Sequence, residues 1–369
     1  MSLTVNRAAL AAALATMQSV IERRTTAPIL ACVLVDASDG TMRILATDLD
    51  MKATIALPAD GGLDFVAVNG ERLKTAVDGM NAETIAIVVE NGSMVITAGR
   101  ARRTLPTLPA ADMPVMEVSK YATSFEVEPK QLAAAIGFAS PAMSTEETRY
   151  YLNGIFIHTV AETDGIRLVA CDGHQLRRID IRIASGSPAM SDAIMPRKIA
   201  NLLAKMLDRH TTPLTIKLSS NMIHVDLGST TLTSKLIDGT YPDYSRTIPT
   251  DRRQTLNASG AELARAAGAT TAMGAMDGQK VRVIVLNMSA HEARLTASGV
   301  DGNADEPLTY SEWNGADMRV GFNGRYLANA AASFGDETID IHINDPAAPV
   351  VITAASHPEA LAVIMPMRV

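Results

Sequence analysis

The sequence predicts an α+β protein of three similar domains, each with two helices and an antiparallel sheet. Two observations lead to this fold class. Helix-like stretches recur at about one third of the chain length, and alternating polar and apolar runs lie between them. Solenoid units repeat every 20–50 residues or so, so a period this long indicates whole domains. A single core seldom exceeds about 250–300 residues. We therefore divide the 369 residues into domains 1–124, 125–253 and 254–369.

The first helix-like stretch of each third carries a marker leucine. Successive markers are 122 and 131 residues apart. The stretches are residues 5–14, 127–136 and 256–267, and their markers are Leu10, Leu132 and Leu263. They are rich in alanine, with leucine spaced for one buried face.

A second helix-like stretch recurs inside each third with nearly the same period. Its markers are 126 and 128 residues apart. The stretches are residues 68–77, 195–203 and 322–331, and their markers are Leu73, Ile199 and Leu327. Two independent markers with one period support a threefold repeat.

Alternating runs between the helices predict antiparallel hairpins. In the first third, residues 83–90 and 93–97 flank Asn91-Gly92, a pair that tolerates the positive φ angles of a tight turn. The counterparts are 214–218 with 222–226, and 337–342 with 350–353. Another matching hairpin is predicted earlier in each third, with strands that include residues 42–48, 166–172 and 293–299. Alternation implies sheets with one buried face.

Composition and charge narrow the class of protein. The chain is 47% hydrophobic and carries a net charge of −7, divided among the three domains as −2, +1 and −6. Charges far apart are screened over about 8 Å, so an acidic total does not exclude a nucleic-acid partner. We expect Cys32 and Cys171 to be free thiols in a reducing compartment. With no signal peptide or membrane-length apolar run recognised, we expect a cytoplasmic protein.

No enzyme motif is recognisable, so we expect no catalytic residue, metal or cofactor. Asp301, Asn303, Asp305 and Glu312 imitate a calcium loop, but Glu306 stands where its sharp turn requires glycine. The residues Cys171-Asp-Gly-His174 bring a thiol near an imidazole without an orienting group. A repeat-domain enzyme with a cleft at 172–174 is one alternative.

Six local segments, in order and spread over the whole chain, resemble the bacterial DNA polymerase III beta-subunit family, the sliding clamps. The segments are residues 26–30, 104–114, 150–154, 170–176, 236–244 and 363–369. The resemblance implies a DNA-clamp fold in which two copies join head to tail into a ring, with sheets outside and twelve helices inside. It also implies a homodimer that surrounds duplex DNA without reading its sequence.

The resemblance assigns DNA-facing positions residue by residue. The alignment places Glu71 on a basic position of the family, so we nominate the adjacent Arg72. The DNA-facing residues are Arg24, Arg72, Arg149, Tyr150, Tyr151, Arg197 and Lys198. Without the resemblance, each isolated basic residue would be a solvated surface charge and Tyr150-Tyr151 would be a strand pair.

The resemblance also implies a pocket between the second and third domains for short peptides. Its partners would be the replicative polymerase alpha subunit, the clamp loader and repair proteins. The matching residues are Leu152, Cys171, Gly173, His174, Gln175, Leu176, Pro242, Arg246, Thr247, Val363, Met365, Pro366, Met367 and Arg368. Apolar side chains would form an adaptable trough, and His174, Gln175 and Arg246 would be polar anchors at its rim.

Three departures from the family pattern bear on this pocket. Cys171 stands where the family often has threonine, and Gln175 and Ser245 stand where it often has arginine. Losing two guanidinium groups removes long stems as well as charge. We expect an altered ranking of partner peptides. A second alternative follows: a specialised clamp paralogue that binds peptides or a clamp-directed compound, with a reduced role in replication.

Overall fold

The computed structural model describes residues 2–116, 120–160, 165–186, 190–208, 210–273, 283–299, 302–309 and 311–369. The chain forms two compact units. The first contains residues 1–130, 183–191 and 198–236, and the second contains 131–182, 192–197 and 237–369. Within the described ranges, no helix has the length and apolarity to cross a membrane.

The first unit is built on one antiparallel sheet of 13 described strands. They are β1 (Ser2–Asn6), β2 (Cys32–Ser38), β3 (Thr41–Thr47), β4 (Met51–Gly61), β5 (Leu63–Asn69), β6 (Thr84–Glu90), β7 (Ser93–Ala98), β8 (Ala101–Pro109), β9 (Thr123–Val127), β13 (Ser185–Gly186), β15 (Leu214–Leu218), β16 (Met222–Asp226) and β17 (Thr230–Lys235). Strands β1–β8 close into a circuit because β4 pairs with both β3 and β1. The sheet continues into the second third because β4 also pairs with β17.

The second unit contains a sheet of nine and a sheet of four described strands. The larger has β14 (Ala193–Pro196), β10 (Gly154–Val160), β11 (Gly165–Cys171), β12 (Gln175–Arg182), β26 (Ala360–Ile364), β25 (Val350–Ala354), β24 (Thr338–His342), β18 (Thr255–Ser259) and β22 (Ser311–Trp313). The smaller has β21 (Gly302–Leu308), β20 (Ala293–Gly299), β19 (Val283–Met288) and β23 (Met318–Asn323). Pairing of β12 with β26 joins the second third to the last third.

Six α-helices, two for each third, lie in the described residues. They are α1 (Arg7–Met17), α2 (Gly70–Asp78), α3 (Pro129–Ala139), α4 (Arg197–Leu207), α5 (Gly260–Met273) and α6 (Gly324–Ala332). All six marker residues lie in these helices and are at most 2% exposed. The predicted markers of the repeat are therefore confirmed as core residues.

The predicted starts of the helices are wrong by two to four residues, always toward the N-terminus. The first residues of each predicted stretch belong to a strand that leads into the helix. Three helices begin at an asparagine cap: Asn6 Oδ1 accepts from Ala9 N, and Asn69 and Asn323 do the same in α2 and α6. Asparagine is a preferred cap because its side chain satisfies a free N–H of the first turn.

The predicted hairpins are confirmed. Asn91 and Gly92 adopt φ angles of 50° and 70° between β6 and β7, as a two-residue hairpin turn requires. The corresponding pairs β15–β16 and β24–β25 are also present. Antiparallel pairing of β-strands, together with two helices in each third, confirms the α+β fold class.

Candidate functional site

A tight turn between β11 and β12 organises the predicted pocket. Asp172 Oδ1 accepts hydrogen bonds from the backbone N–H groups of His174 and Gln175, at 2.8 and 2.9 Å. Gly173 has a φ of +89°, and a Cβ atom there would lie 2.5 Å from Nη1 of Arg149. The turn therefore favours glycine for its positive backbone angle, and a larger residue would also displace the end of the Arg149 side chain.

An apolar cluster lies beside this turn, and four of the predicted pocket residues belong to it. Leu176 and Val363 are opposite each other on β12 and β26, and Leu152 and Cys171 join them. The cluster comprises Leu152, Phe156, Val169, Leu176, Ile194, Tyr241, Val351, Leu361 and Val363, with Tyr151, Cys171, Ile237, Tyr244 and Ile248 packed against it. Leu152, Leu176 and Val363 are only 2–4% exposed. These three residues are buried, so a ligand at the predicted pocket would mainly contact the accessible surface of other residues.

The C-terminal segment supplies part of that accessible surface. The backbone N–H of Met365 donates to the carbonyl of His174, and that of Met367 donates to Gly321, both at 2.8 Å. Met365 is exposed, whereas Pro366 and Met367 are half-buried. Arg368 is exposed. The segment is therefore held in place by backbone hydrogen bonds while a methionine side chain remains open to solvent.

The 3₁₀ segment Tyr244–Thr247 carries two further predicted residues. Arg246 pairs with Asp243 at 2.8 Å but stays exposed, and the Thr247 hydroxyl donates to the carbonyl of Tyr244 at 2.7 Å. The Ser245 hydroxyl and then Arg246 hold the pKa of Asp243 below its usual value. Pro242, just before the segment, is exposed. Arg246 is therefore available as a rim residue, in competition with Asp243.

Gln175 is not at the rim, and that part of the prediction is wrong. The residue is 6% exposed, and its Nε2 donates to Pro141 O and Asp172 Oδ2, both at 3.0 Å. Successive side chains on a strand point to opposite faces, so Gln175 faces away from Leu176 and the apolar cluster. It supports the turn from behind.

On the Gln175 side of the sheet is a cavity of about 430 Å³. Its lining is Pro141, Met143, Ser144, Thr145, Glu146, Asp172, His174, Gln175, Arg197, Arg325, Tyr326 and Asn329. The α6 residues Arg325, Tyr326 and Asn329 were missed from the sequence, because the only signal for them was their place in the repeat. His174 borders this cavity as well as the predicted pocket.

The predicted DNA-facing residues divide into two groups by their electrostatic partners. In the first unit, Arg24 and Arg72 are exposed. No carboxylate among the described residues forms an ion pair with either. By contrast, Lys198 pairs with Asp48 and donates to Val20 O at 3.0 Å. Its charge is therefore already largely neutralised.

The other predicted cations are also engaged, within the second unit. Arg149 pairs with Glu146 at 2.7 Å. Arg197 donates to the carbonyls of Met143 and Ser144, the latter at 2.7 Å, and burial lowers its pKa.

The two tyrosines beside Arg149 lie in a 3₁₀ segment, Glu147–Leu152, rather than in a strand pair. Tyr150 is 53% exposed, whereas Tyr151 packs against the apolar cluster. Of the two rings, only Tyr150 therefore presents most of its surface to a ligand.

The turn residues lack the features of a nucleophilic or metal site. Burial raises the pKa of the Cys171 thiol, which makes it a poor nucleophile at neutral pH. Three or more potential metal ligands do not cluster anywhere in the described ranges. Asp301 of the calcium-like pattern lies outside those ranges.

Three models of one family match successive parts of this chain. They describe the N-terminal, central and C-terminal domains of the DNA polymerase III beta subunit, over residues 1–117, 126–243 and 245–368. The chain belongs to the DNA polymerase III beta-subunit family. The domain models and the internal repeat agree on three domains, and the exact boundaries at 124 and 253 stay predictions.

Relatives in this family are similar over their whole length. The beta sliding clamps of Caulobacter vibrioides and of Escherichia coli K12 are each 32% identical to the chain, with 100% of both proteins covered. Among solved structures, a DnaN sliding clamp from Bartonella birtlesii bound to griselimycin has a TM-score of 0.93 and 32% identity. A Caulobacter crescentus beta sliding clamp has a TM-score of 0.92 and 32% identity. Both matches cover 100% of each chain.

Proposed function

We propose that this chain is a DNA sliding clamp: two copies close into a ring around duplex DNA and tether the replicative polymerase. The observation that supports this most is the match of three beta-subunit domain models to consecutive thirds of a repeating chain. A repeat of similar domains supplies regular curvature, and a head-to-tail contact between two copies can close a circle. The full-length similarity to proteins named beta sliding clamp favours this function over a specialised paralogue.

Two strand edges suggest how the ring would close. Residues 101–106 of β8 pair with β7 on one side, while β5 pairs only with residues 107–109. Near the other end of the chain, β21 pairs only with β20 among the described strands. Unpaired edges are templates for another strand. Arg102 and Arg103 on β8 are opposite in charge to Asp305 and Glu306 on β21. Arg102, Asp305 and Glu306 already form ion pairs within the chain, so these charges permit the edges of two copies to join without repulsion.

The proposed grip on DNA is topological, so contacts with phosphates need only be weak. Weak phosphate contacts are independent of base sequence and permit movement along the duplex. Arg24 and Arg72 are suited to this role because they are exposed and lack carboxylate partners in the described part of the chain. The exposed ring of Tyr150 offers an additional stacking surface.

The proposed tether is the apolar site around the 171–175 turn. Cys171 packs against the buried apolar cluster, and His174, Pro242, Met365 and Arg246 are the exposed members of the proposed site. A methionine can re-pack around different apolar ligands. The site therefore suits short segments from several proteins, including the polymerase alpha subunit and the clamp loader. We assign the chain no catalytic step of its own.

Retention on circular DNA tests the proposed function. The full-length protein, loaded onto a closed or nicked circle, should stay bound in high salt and should be released when one cut linearises the circle. Gel filtration should give the mass of two copies. Equal release from circular and linear DNA, or a monomer at micromolar concentration, would contradict the ring.

A further inference from the structure

We propose that Arg325, in the first turn of α6, is the residue through which the third domain contacts the phosphates of duplex DNA. This inference deepens the proposed clamp function and rests on it. None of the positions that the family resemblance assigned to DNA lies in the third domain. Arg325 fills that gap.

The internal repeat places Arg325 at a DNA-facing position. Residues 68–77, 195–203 and 322–331 align on their buried markers. In this alignment Arg325 occupies the place of Arg197 in the second third and Glu71 in the first. It is also next to the place of Arg72 and Lys198. The repeat therefore extends to Arg325 the role that the family resemblance implies for the basic residues at the start of α2 and α4.

The charge of Arg325 is available, whereas those of its second-domain counterparts are not. The residue is exposed, and the described residues place no carboxylate within ion-pairing distance of it. Arg197 is engaged by two carbonyl oxygens, and Lys198 is paired with Asp48. On α5, the other helix of the third domain, Arg265 lies 3.5 Å from Glu306. The Arg325 guanidinium hydrogen-bonds the Tyr326 side chain but forms no ion pair with a described residue, so it can pair with an oxyanion without first breaking an ion pair.

The local structure also holds the guanidinium in place. The carbon at its centre lies 5.9 Å from the centroid of the Tyr326 ring, close enough for a cation–π interaction that limits the freedom of the side chain. The backbone N–H of Arg325 is bonded to Asn323 Oδ1 at 3.1 Å, which fixes the first turn. The positive end of the helix dipole adds to the attraction for an anion.

The net charge of the third domain explains why a single basic contact with DNA would matter. The domain carries a net charge of −6, and like charges near DNA are unfavourable. Screening over about 8 Å means that only charges close to the phosphates count. One unpaired arginine on the proposed DNA-facing surface therefore matters more than the domain total.

Duplex binding by the full-length protein tests this inference. Arg325→Ala, Arg325→Lys and Arg325→Glu would be compared with the parent by fluorescence anisotropy of a labelled duplex oligonucleotide across a salt series. Arg319→Ala is the matched control, because Arg319 is an exposed arginine of the same domain that hydrogen-bonds the neutral Asn287. A labelled apolar peptide serves as the second probe.

We expect Arg325→Ala to weaken duplex binding several-fold at low salt and to lower the slope of log K against log salt by about 0.9, the value for one phosphate contact. Arg325→Glu should weaken duplex binding further, and Arg325→Lys and Arg319→Ala should bind the duplex as the parent does. The inference would be overturned if Arg325→Ala and the parent bound the duplex equally at every salt concentration. It would also be overturned if Arg325→Ala lost affinity only for the labelled peptide. If the parent itself is not retained on circular DNA, the proposed function fails instead.

Discussion

The two faces of strand β12 differ in what they offer a ligand. On one face, Leu176 packs into the apolar cluster beneath the proposed peptide site. On the other face, Gln175 and Arg177 are buried. Gln175 Nε2 donates to Pro141 O and Asp172 Oδ2, and Arg177 Nη1 donates to Phe138 O and the Ser333 hydroxyl. Gln175 Oε1 and the other two guanidinium nitrogens of Arg177 have no hydrogen-bond partner among the described residues. The apolar face can adapt to different ligands, whereas the polar face fixes the turn and the helices behind it. The site therefore combines an adaptable surface with a rigid support.

Arg177 is a buried charged residue on the polar face. It is 1% exposed, and its Nη1 donates to Phe138 O at 3.1 Å and to the Ser333 hydroxyl at 2.7 Å. Phe138 is in the last turn of α3, and Ser333 caps α6. A cation at two helix C-termini is favourable. Burial lowers the pKa of Arg177 to about 10, so the side chain remains charged at neutral pH.

The largest effect is expected on the apolar face. Leu176→Ala should lower the free energy of unfolding by about 2–4 kcal/mol, because it leaves a cavity in the cluster. It should also weaken binding of an apolar peptide by tenfold or so. Urea unfolding and fluorescence anisotropy measure the two effects. A destabilised variant with parental peptide affinity would show that this cluster is not the floor of the binding site.

Arg177→Ala should have the next largest effect, through stability alone. Loss of the guanidinium leaves the Phe138 carbonyl without its hydrogen bond, at a cost of about 1–3 kcal/mol. The matched control is Arg178→Ala, since Arg178 is only half-buried, on the opposite face of the same strand. We expect a clearly lower urea midpoint for Arg177→Ala than for Arg178→Ala. Equal urea midpoints for the two variants would show that Arg177 does not stabilise the polar face.

Asp172→Ala should disturb both faces moderately. The carboxylate accepts from two backbone N–H groups and from Gln175 Nε2, so its loss should cost about 1–2 kcal/mol. Peptide affinity should fall with it, because His174 and Leu176 lose their fixed positions. Asp172→Asn retains one acceptor oxygen, so its stability and its peptide affinity should lie between those of the parent and of Asp172→Ala. A different order of the variants would contradict the role of this carboxylate in holding the turn.

Gln175→Arg restores the side chain common in the family and should have a smaller effect. Because Gln175 lies behind the turn, we expect peptide affinities to change by less than about threefold, equivalent to well under 1 kcal/mol. We still expect the ranking among peptides to shift, through small movements of His174. Calorimetry over a set of peptides measures both. Identical affinities across the set would show that position 175 does not influence partner choice.

The smallest effect concerns the reactivity of Cys171. Its raised pKa means that less thiolate is present at pH 8 than in an unstructured cysteine, so alkylation by iodoacetamide should be slow and should accelerate as pH rises. A bound apolar peptide should slow it further. Cys32, also raised in pKa by burial, provides the internal control and should be unaffected by the peptide. Equal protection of both thiols would place the peptide elsewhere.

Local patterns in the sequence were sufficient to determine the fold class, the threefold repeat and the hairpins. Hydrophobic period and turn chemistry act over a few residues, so Asn91-Gly92 and the six buried markers could be recognised directly. The helix starts could not, because each helix follows directly on a strand that also carries buried apolar residues, and in three cases only a capping asparagine marks the change. The resemblance to the family supplied most of the site residues.

Only the tertiary structure decided which of those residues are available to a ligand. It placed Gln175 behind the turn, engaged Arg149, Arg197 and Lys198 with partners, and left Arg325 exposed. Glu146, the partner of Arg149, is only three residues away. The partners of Arg197 and Lys198 are at least 53 residues distant in sequence, so no local pattern contains them. The sequence determines the chemical type of each side chain. Whether its charge or surface is accessible to a ligand depends on the residues that contact it in the folded protein.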